Sequence, residues 1–252
     1  MTRIEAWDAV AVSYDRVRPS YPERLLEDLC VGARLNPGSR LLEIGAGTGK
    51  ATLPLAQRGY AIHCLEPGPN LAEILLQKCA GYPEVSVELT TFEHWSAPAQ
   101  GSFDLIYAAQ AFHWLDPESR YQKCHQALTA DGRLALFWYH PVPDASVQDE
   151  IDAMLRRHAP EVFPEVGARD ERWEQDIIAS GLFGEPEVHH YTEDRPTKAD
   201  TYLQALTTQS AFGLLGEELK TRLRANARAL LDRYGGQVTV RMEYTLCLSP
   251  RL

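Results

Sequence analysis

The sequence predicts an α/β fold in which helices cover a largely parallel, doubly wound sheet, and three observations carry that prediction. Short apolar runs alternate with helical stretches from residue 40 to residue 139, a βα rhythm that produces parallel strands joined by right-handed crossovers. The first of those runs leads straight into a glycine turn, LLEIGAGTGK, over residues 41–50. The second stops at an acidic residue, Glu66, about twenty positions further on.

Taken in order, the chain opens with the aromatic, arginine-containing run AWDAVAVSYDRVRPSYP. Ser20 with Glu23 has the spacing of a capping box, and Leu25, Leu26 and Leu29 give the following helix an apolar face. Asn36-Pro37-Gly38 ends that unit, and residues 40–44 form the first strand. A helix is expected over residues 48–58, closed by Gly59, then a strand over 60–65 and a helix over 70–80 closed by Gly81. Residues 85–89 alternate as a third strand, and Thr91-Phe92-Glu93 follows at its end. The fourth strand is expected at 103–108. Asp116 and Pro117 read as the N-cap and first position of a helix reaching Leu128. An apolar strand over 133–139 completes the regular part.

Beyond Tyr139 the rhythm loosens. Helices are expected over 145–158, 172–180 and 217–234, with another opened by Thr197 and Asp200. Strands are expected over 186–191 and, with period-two alternation, over 237–248. His189 and His190 are neighbours on the first of these strands and so point to opposite faces. The organisation expected is one domain: a flap and helix at 1–36, a ligand-binding core at 37–140, lid helices with one strand at 141–236, and the last strand at 237–248.

Composition narrows the classes. Hydrophobic residues make up 44% and charged residues 24% of 252, an ordinary globular balance. Asp and Glu number 35 against 25 Lys and Arg, a formal charge of −10, which argues against a broad nucleic-acid surface. The five cysteines are scattered, without a C-x-x-C pair or metal-ligand spacing, and no apolar segment opens the chain. A reducing, cytoplasmic setting is therefore expected, with no metal. No apolar run approaches the roughly 20 residues that span a bilayer, so no membrane partner is expected.

The glycine turn admits three readings. A P-loop needs glycine and Ser/Thr where this chain has Ile44 and Ala51, and a G-x-G-x-x-G fingerprint would put its third glycine at Lys50. Neither fits. The turn does read as E-x-G-x-G-x-G, from Glu43 to Gly49, and here the sequence resembles motif I of class I S-adenosylmethionine-dependent methyltransferases. The stretch FDLIYAAQAFHWLDP resembles motif II and its following loop in the small-molecule group related to trans-aconitate and ubiquinone-biosynthesis C-methyltransferases. The resemblance implies a Rossmann-like seven-stranded sheet, mostly parallel with an antiparallel last strand, and helical lid insertions.

It also implies S-adenosyl-L-methionine as cofactor, S-adenosyl-L-homocysteine as product and a small-molecule acceptor methylated on O, C or a carboxyl group. The residues expected to hold the cofactor are Glu43, Gly45, Ala46, Gly47, Thr48 and Gly49 in the turn. Further along are Glu66 and Pro67, Thr91, Phe92 and Glu93, and Ala109 with Gln110. Phe92 would face the adenine ring and Glu93 would accept from its amino group, while Glu66 would accept from ribose hydroxyls. Tyr14, Arg18, Tyr21, Phe112, His113 and Trp114 are the acceptor-side candidates, in a flap and in the loop after the fourth strand.

Methyl transfer needs an in-line approach, and a neutral hydroxyl or acidic C–H acceptor also needs a base. His113, an imidazole in the loop beside the expected donor, is the candidate base or a pocket residue. Arg16, Arg18 and Arg195 could bind a carboxylate acceptor bidentately. A nicotinamide-dependent oxidoreductase is disfavoured by the glycine spacing and by the lack of a Tyr-x-x-x-Lys pair near the fifth strand. A non-catalytic nucleotide-binding protein stays open as an alternative, and the oligomeric state, monomer or homodimer, is left open.

Overall fold

The computed structural model describes residues 3–97, 101–160, 162, 173–208, 210–213 and 215–252. Helices α1 (Arg3–Asp8), α2 (Ala11–Val17) and α3 (Glu23–Gly32) precede strand β1 (Arg40–Ile44). Then come α4 (Thr52–Ala56), β2 (Ala61–Leu65), α5 (Pro69–Lys78), β3 (Val85–Glu88) and β4 (Phe103–Ala109). A 3-10 turn, Phe112–Trp114, leads to α6 (Arg120–Ala127), β5 (Leu128–Pro143), α7 (Ala145–His158) and α8 (Trp173–Ala179). The chain finishes with β6 (Glu187–Lys198), α9 (Ala199–Thr207), α10 (Ser210–Gly213), α11 (Glu217–Arg233) and β7 (Gln237–Pro250).

The strands form a seven-stranded sheet in the order β3-β2-β1-β4-β5-β7-β6. Strands β1 to β5 pair in parallel, with Leu41 opposite Ile62 on one side and Leu105 on the other. β7 runs antiparallel: Arg251 donates to Gly132 O at one end of its pairing with β5, and Asp144 donates to Thr239 O at the other. The sequence winds outward from β1 through β2 to β3, then returns to place β4 on the other side of β1. That reversal between β1 and β4 leaves a crevice at the carboxyl ends of the strands, where open α/β sheets bind ligands.

Contacts group the chain into two units. One comprises residues 1–18, 140–170 and 192–243, and the other 19–139, 171–191 and 244–252. The second unit holds the parallel strands and an aromatic-rich core around Leu42, Ile44, Ile106, Leu134 and Leu136. In the first, Val147, Ile151 and Leu155 of α7, Leu203 and Leu206 of α9, and Leu223, Ala227 and Leu231 of α11 are buried.

Several boundaries differ from the sequence reading, each for a local reason. The helix expected over residues 48–58 is confined to Thr52–Ala56, because Gly49 adopts φ +80°, a left-handed conformation that no α-helix contains. Helix α3 has Pro22 rather than Ser20 as its N-cap, since the proline ring bars Tyr21 from helical backbone. Asp116 does cap, but it caps a turn: it accepts from Glu118 N (3.2 Å) and Ser119 Oγ (2.6 Å), and α6 begins only at Arg120. Thr197 remains in β6, donating to Arg195 O, so α9 opens without the capping box. β5 and β6 are much longer than expected, at 16 and 12 residues. Arg172, assigned from sequence to the helix that became α8, lies outside the described residues.

Candidate functional site

The glycine turn leaves β1 at the crevice. Gly45, at φ +69°, donates to Leu65 O (2.9 Å), as does Ala46 (3.2 Å), so the loop is anchored to the end of β2. A Cβ on Gly45 would stand 2.6 Å from the Ala111 Cβ, whereas one on Gly47 would meet nothing within 4 Å. Gly45 is thus demanded by the close approach of the loop after β4. Gly47 leaves the loop's outer side open to a ligand.

Glu66, at the end of β2 and 4% exposed, reaches across the loop: one carboxylate oxygen accepts from Gly47 N at 2.7 Å and the other from Gly68 N at 2.8 Å. It therefore sets the distance between the glycine loop and the turn at Pro67 that starts α5. Thr48 is buried, and its carbonyl accepts from Lys78 Nζ (2.9 Å). Ala109 ends β4, and Gln110 follows in a left-handed conformation, φ +62°, rare outside glycine. Its N–H donates to Phe137 O (3.0 Å) and its Nε2 to Tyr139 O (2.8 Å), two bonds that hold the strained backbone at the crevice.

Three of the expected residues are buried. Glu43 is 1% exposed, and Oε2 accepts from Thr52 Oγ1 (2.5 Å) and Tyr107 OH (2.7 Å) beneath the loop. Phe92 does not present a free face to an adenine ring. It is 3% exposed, stacked on Trp95 at 5.9 Å and covered by Lys123 at 5.0 Å, because an apolar ring next to β3 gains more from core burial. Phe112 turns inward as well. It packs on Tyr121 and Trp173, and the Arg120 guanidinium lies 5.1, 5.1 and 5.2 Å from the Phe112, Tyr121 and Trp173 rings.

The remaining candidates divide between the units. Glu93 is exposed and accepts from Asp116 N (3.2 Å), and Thr91 Oγ1 lies 3.1 Å from His94 Nδ1 in the same turn. His113 is exposed beside Trp114, with ring centroids 4.3 Å apart, and Trp114 is 39% exposed. Tyr21 is buried against Phe137, edge-on at 4.8 Å. Tyr14 and Arg18 belong to the first unit, where Arg18 lies over the Tyr14 ring (5.3 Å) and donates to Thr208 Oγ1 (3.1 Å). Arg195 pairs with Glu193 at 2.7 Å.

Sequence reasoning missed Thr52, Tyr107 and Ala111. Tyr107 stands opposite Glu43 in the β1–β4 register, and no local pattern reveals such pairing.

Burial pushes the Glu43 carboxyl up to about 7, against the lowering effect of its bonds from Thr52 and Tyr107, and the Glu66 charge adds to the rise. The folded state therefore keeps a proton on Glu43 between the ordinary carboxylate range and neutrality. The resulting stability is fully present below the unfolded value of 4.5 and is lost as pH rises through about 7. At about 1.4 kcal/mol per unit it amounts to roughly 3 kcal/mol. In Glu43→Gln, denaturant titrations at pH 5 and pH 8 should differ by about that much less than in wild type. An unchanged difference would show that Glu43 titrates normally.

A doubly wound sheet with a glycine loop and an acidic strand end at its switch point is an arrangement that binds nucleotide-type cofactors. Residues 42–134 match the family described as a methyltransferase domain. An uncharacterized methyltransferase of Mycobacterium tuberculosis is 35% identical over 126 residues, covering 50% of this chain and 49% of the relative. The chain thus spans about half the length of the first relatives it matches. Among solved structures, a putative type II methyltransferase from Anaeromyxobacter dehalogenans superimposes with a TM-score of 0.63 at 22% identity, covering 92% of this chain and 97% of that one. Phosphoethanolamine N-methyltransferase 2 of Haemonchus contortus, in complex with S-adenosyl-L-methionine, gives 0.58 at 14% identity, covering 99% and 60%.

No described helix is long and apolar enough to cross a membrane, no metal-binding group of His, Cys, Asp and Glu occurs among the described residues, and all five cysteines are free thiols.

Proposed function

We propose that this chain transfers a methyl group from S-adenosyl-L-methionine to a small-molecule acceptor by in-line displacement. The observation that carries this reading is the open side of Gly47 at the switch point, with the Glu66 carboxylate beside it. Glu66 accepts from the amides of Gly47 and Gly68, and in this reading its carboxylate, which stands at the end of β2, also accepts from ribose hydroxyls. Exposed Glu93 is placed to accept from an exocyclic amino group. The Haemonchus enzyme, which this chain resembles in fold, holds S-adenosyl-L-methionine, and that supports the same cofactor here.

The donor, when bound, brings a methyl group on a sulfonium leaving group, so the residues here orient and keep water out. Gly47 lets the backbone lie against the ligand, while Gly45 and Gly49 make room for Ala111 and Leu75 behind the loop. Glu43 and Tyr107 support the loop from below. Gln110, fixed through Phe137 and Tyr139, holds the crevice's other lip, next to His113 and Trp114. We assign His113 as the base that takes the proton of a neutral acceptor.

Calorimetry with S-adenosyl-L-methionine, S-adenosyl-L-homocysteine and NAD tests the cofactor: tighter binding of NAD would favour the oxidoreductase reading. A methyl-transfer assay over a metabolite library tests catalysis, because a non-catalytic relative would bind the cofactor without product. His113→Ala should lower kcat by about 100-fold and remove the limb of the pH profile that reports its protonation. Unchanged turnover and profile would end its role as base. The free thiols fit a reducing compartment, and we place the protein in the cytoplasm; cell fractionation that recovers it elsewhere overturns that placement.

A further inference from the structure

We propose that the unit formed by residues 1–18, 140–170 and 192–243 contains a separate binding site, a cavity that takes a small monocarboxylate with an apolar body. The cavity, about 490 Å³, is lined by α2, α9 and α11 together with the Phe212 region, all within that unit. This inference does not depend on methyl transfer.

Two acids and two bases line it, and both acids are already paired. Asp200 pairs with Arg228, which Asp232 also holds, and Glu217 pairs with Lys220 at 2.8 Å; both acids are largely in solvent. Arg224, also on the wall, forms no ion pair or hydrogen bond among the described residues. A guanidinium that lines a cavity and has no partner among the described residues favours an anion there.

The hydrogen-bond capacity points the same way. Thr207 and Thr221 already give their hydroxyl protons to Gln204 O (2.8 Å) and Glu217 O (2.9 Å). Thr208 gives its own to Ala205 O (2.7 Å) while accepting from Arg18. Among the described residues, the Ser13 hydroxyl, the Gln204 amide and the Arg224 guanidinium have no hydrogen-bond partner. Such donors around one unpaired cation, with Lys220 held by Glu217, suit a carboxylate, which a guanidinium binds bidentately. A dianionic phosphate would call for further cations. Buried Leu203 and Phe212, with half-buried Val10, give an apolar wall for a hydrocarbon body.

Titration calorimetry of the full chain, with no methyl donor present, tests the site using hexanoate, hexanamide and inorganic phosphate. Hexanoate should bind saturably, and hexanamide should bind about tenfold or more weaker, the worth of one charge-assisted hydrogen bond. Arg224 is exposed, so Arg224→Gln should fold and should lower hexanoate affinity to the amide level, with Arg224→Lys recovering part of it. No heat of binding for hexanoate, equal affinities for acid and amide, a preference for phosphate, or an unaffected Arg224→Gln variant would each overturn the proposal. Because no methyl donor enters the titration, its failure leaves the methyl-transfer reading standing, and the reverse holds.

Discussion

Glu66→Gln is expected to weaken S-adenosyl-L-methionine binding by about 100-fold, which corresponds to about 2.7 kcal/mol. Glu66 accepts from Gly47 N at 2.7 Å and Gly68 N at 2.8 Å, charge-assisted bonds of roughly 1.5–3 kcal/mol each. Glutamine keeps one acceptor oxygen and turns an NH₂ group toward the other amide, a donor facing a donor. The loop then loses its brace and the ribose loses its acceptor, so binding suffers twice. Calorimetry with the cofactor and with S-adenosyl-L-homocysteine reads the loss. An unchanged dissociation constant would remove Glu66 from the ligand site, and a thermal unfolding curve distinguishes lost binding from lost folding.

The second large effect separates two glycines of one motif. Gly45→Ala should destabilise the chain by about 3 kcal/mol, adding about 1–2 for a side chain at positive φ to about 1–3 for overpacking against Ala111. The new Cβ would sit 2.6 Å from the Ala111 Cβ, and the loop after β4 would have to move. Gly47→Ala has the same backbone problem at φ +57° but no neighbour within 4 Å. It should cost only about 1 kcal/mol in stability while placing a methyl group on the ligand face. Denaturant unfolding reports the first effect and cofactor titration the second. A Gly47→Ala variant that binds the cofactor normally would mean that the ligand does not use that face.

Much of the fold was legible because its signals are local. The alternation of apolar runs, the positive-φ glycines and the acidic end of β2 are properties of neighbouring residues, and each appears where the sequence puts it. The candidate residues Gly45 to Gly49, Glu66 and Gln110 could be named for the same reason, since all lie at strand ends. Less legible were side chains whose direction depends on distant partners. Phe92 and Phe112 are aromatic residues in loops beside the crevice, and nothing in their own segments says that Trp95, Lys123 or the Arg120 cluster will draw them into the core.

The sequence by itself determined a βα-wound sheet, a glycine turn after its first strand and an acidic residue at the end of its second, since backbone conformation and periodicity are written within a few residues. Only the tertiary structure decided that Glu43 lies beneath the loop on Tyr107, that Ala111 makes Gly45 obligatory, and that Arg224, without a partner among the described residues, lines a cavity wall. Those are pairings of residues far apart in the chain, set by strand register and helix packing, and burial then assigns each charge its partner or withholds one.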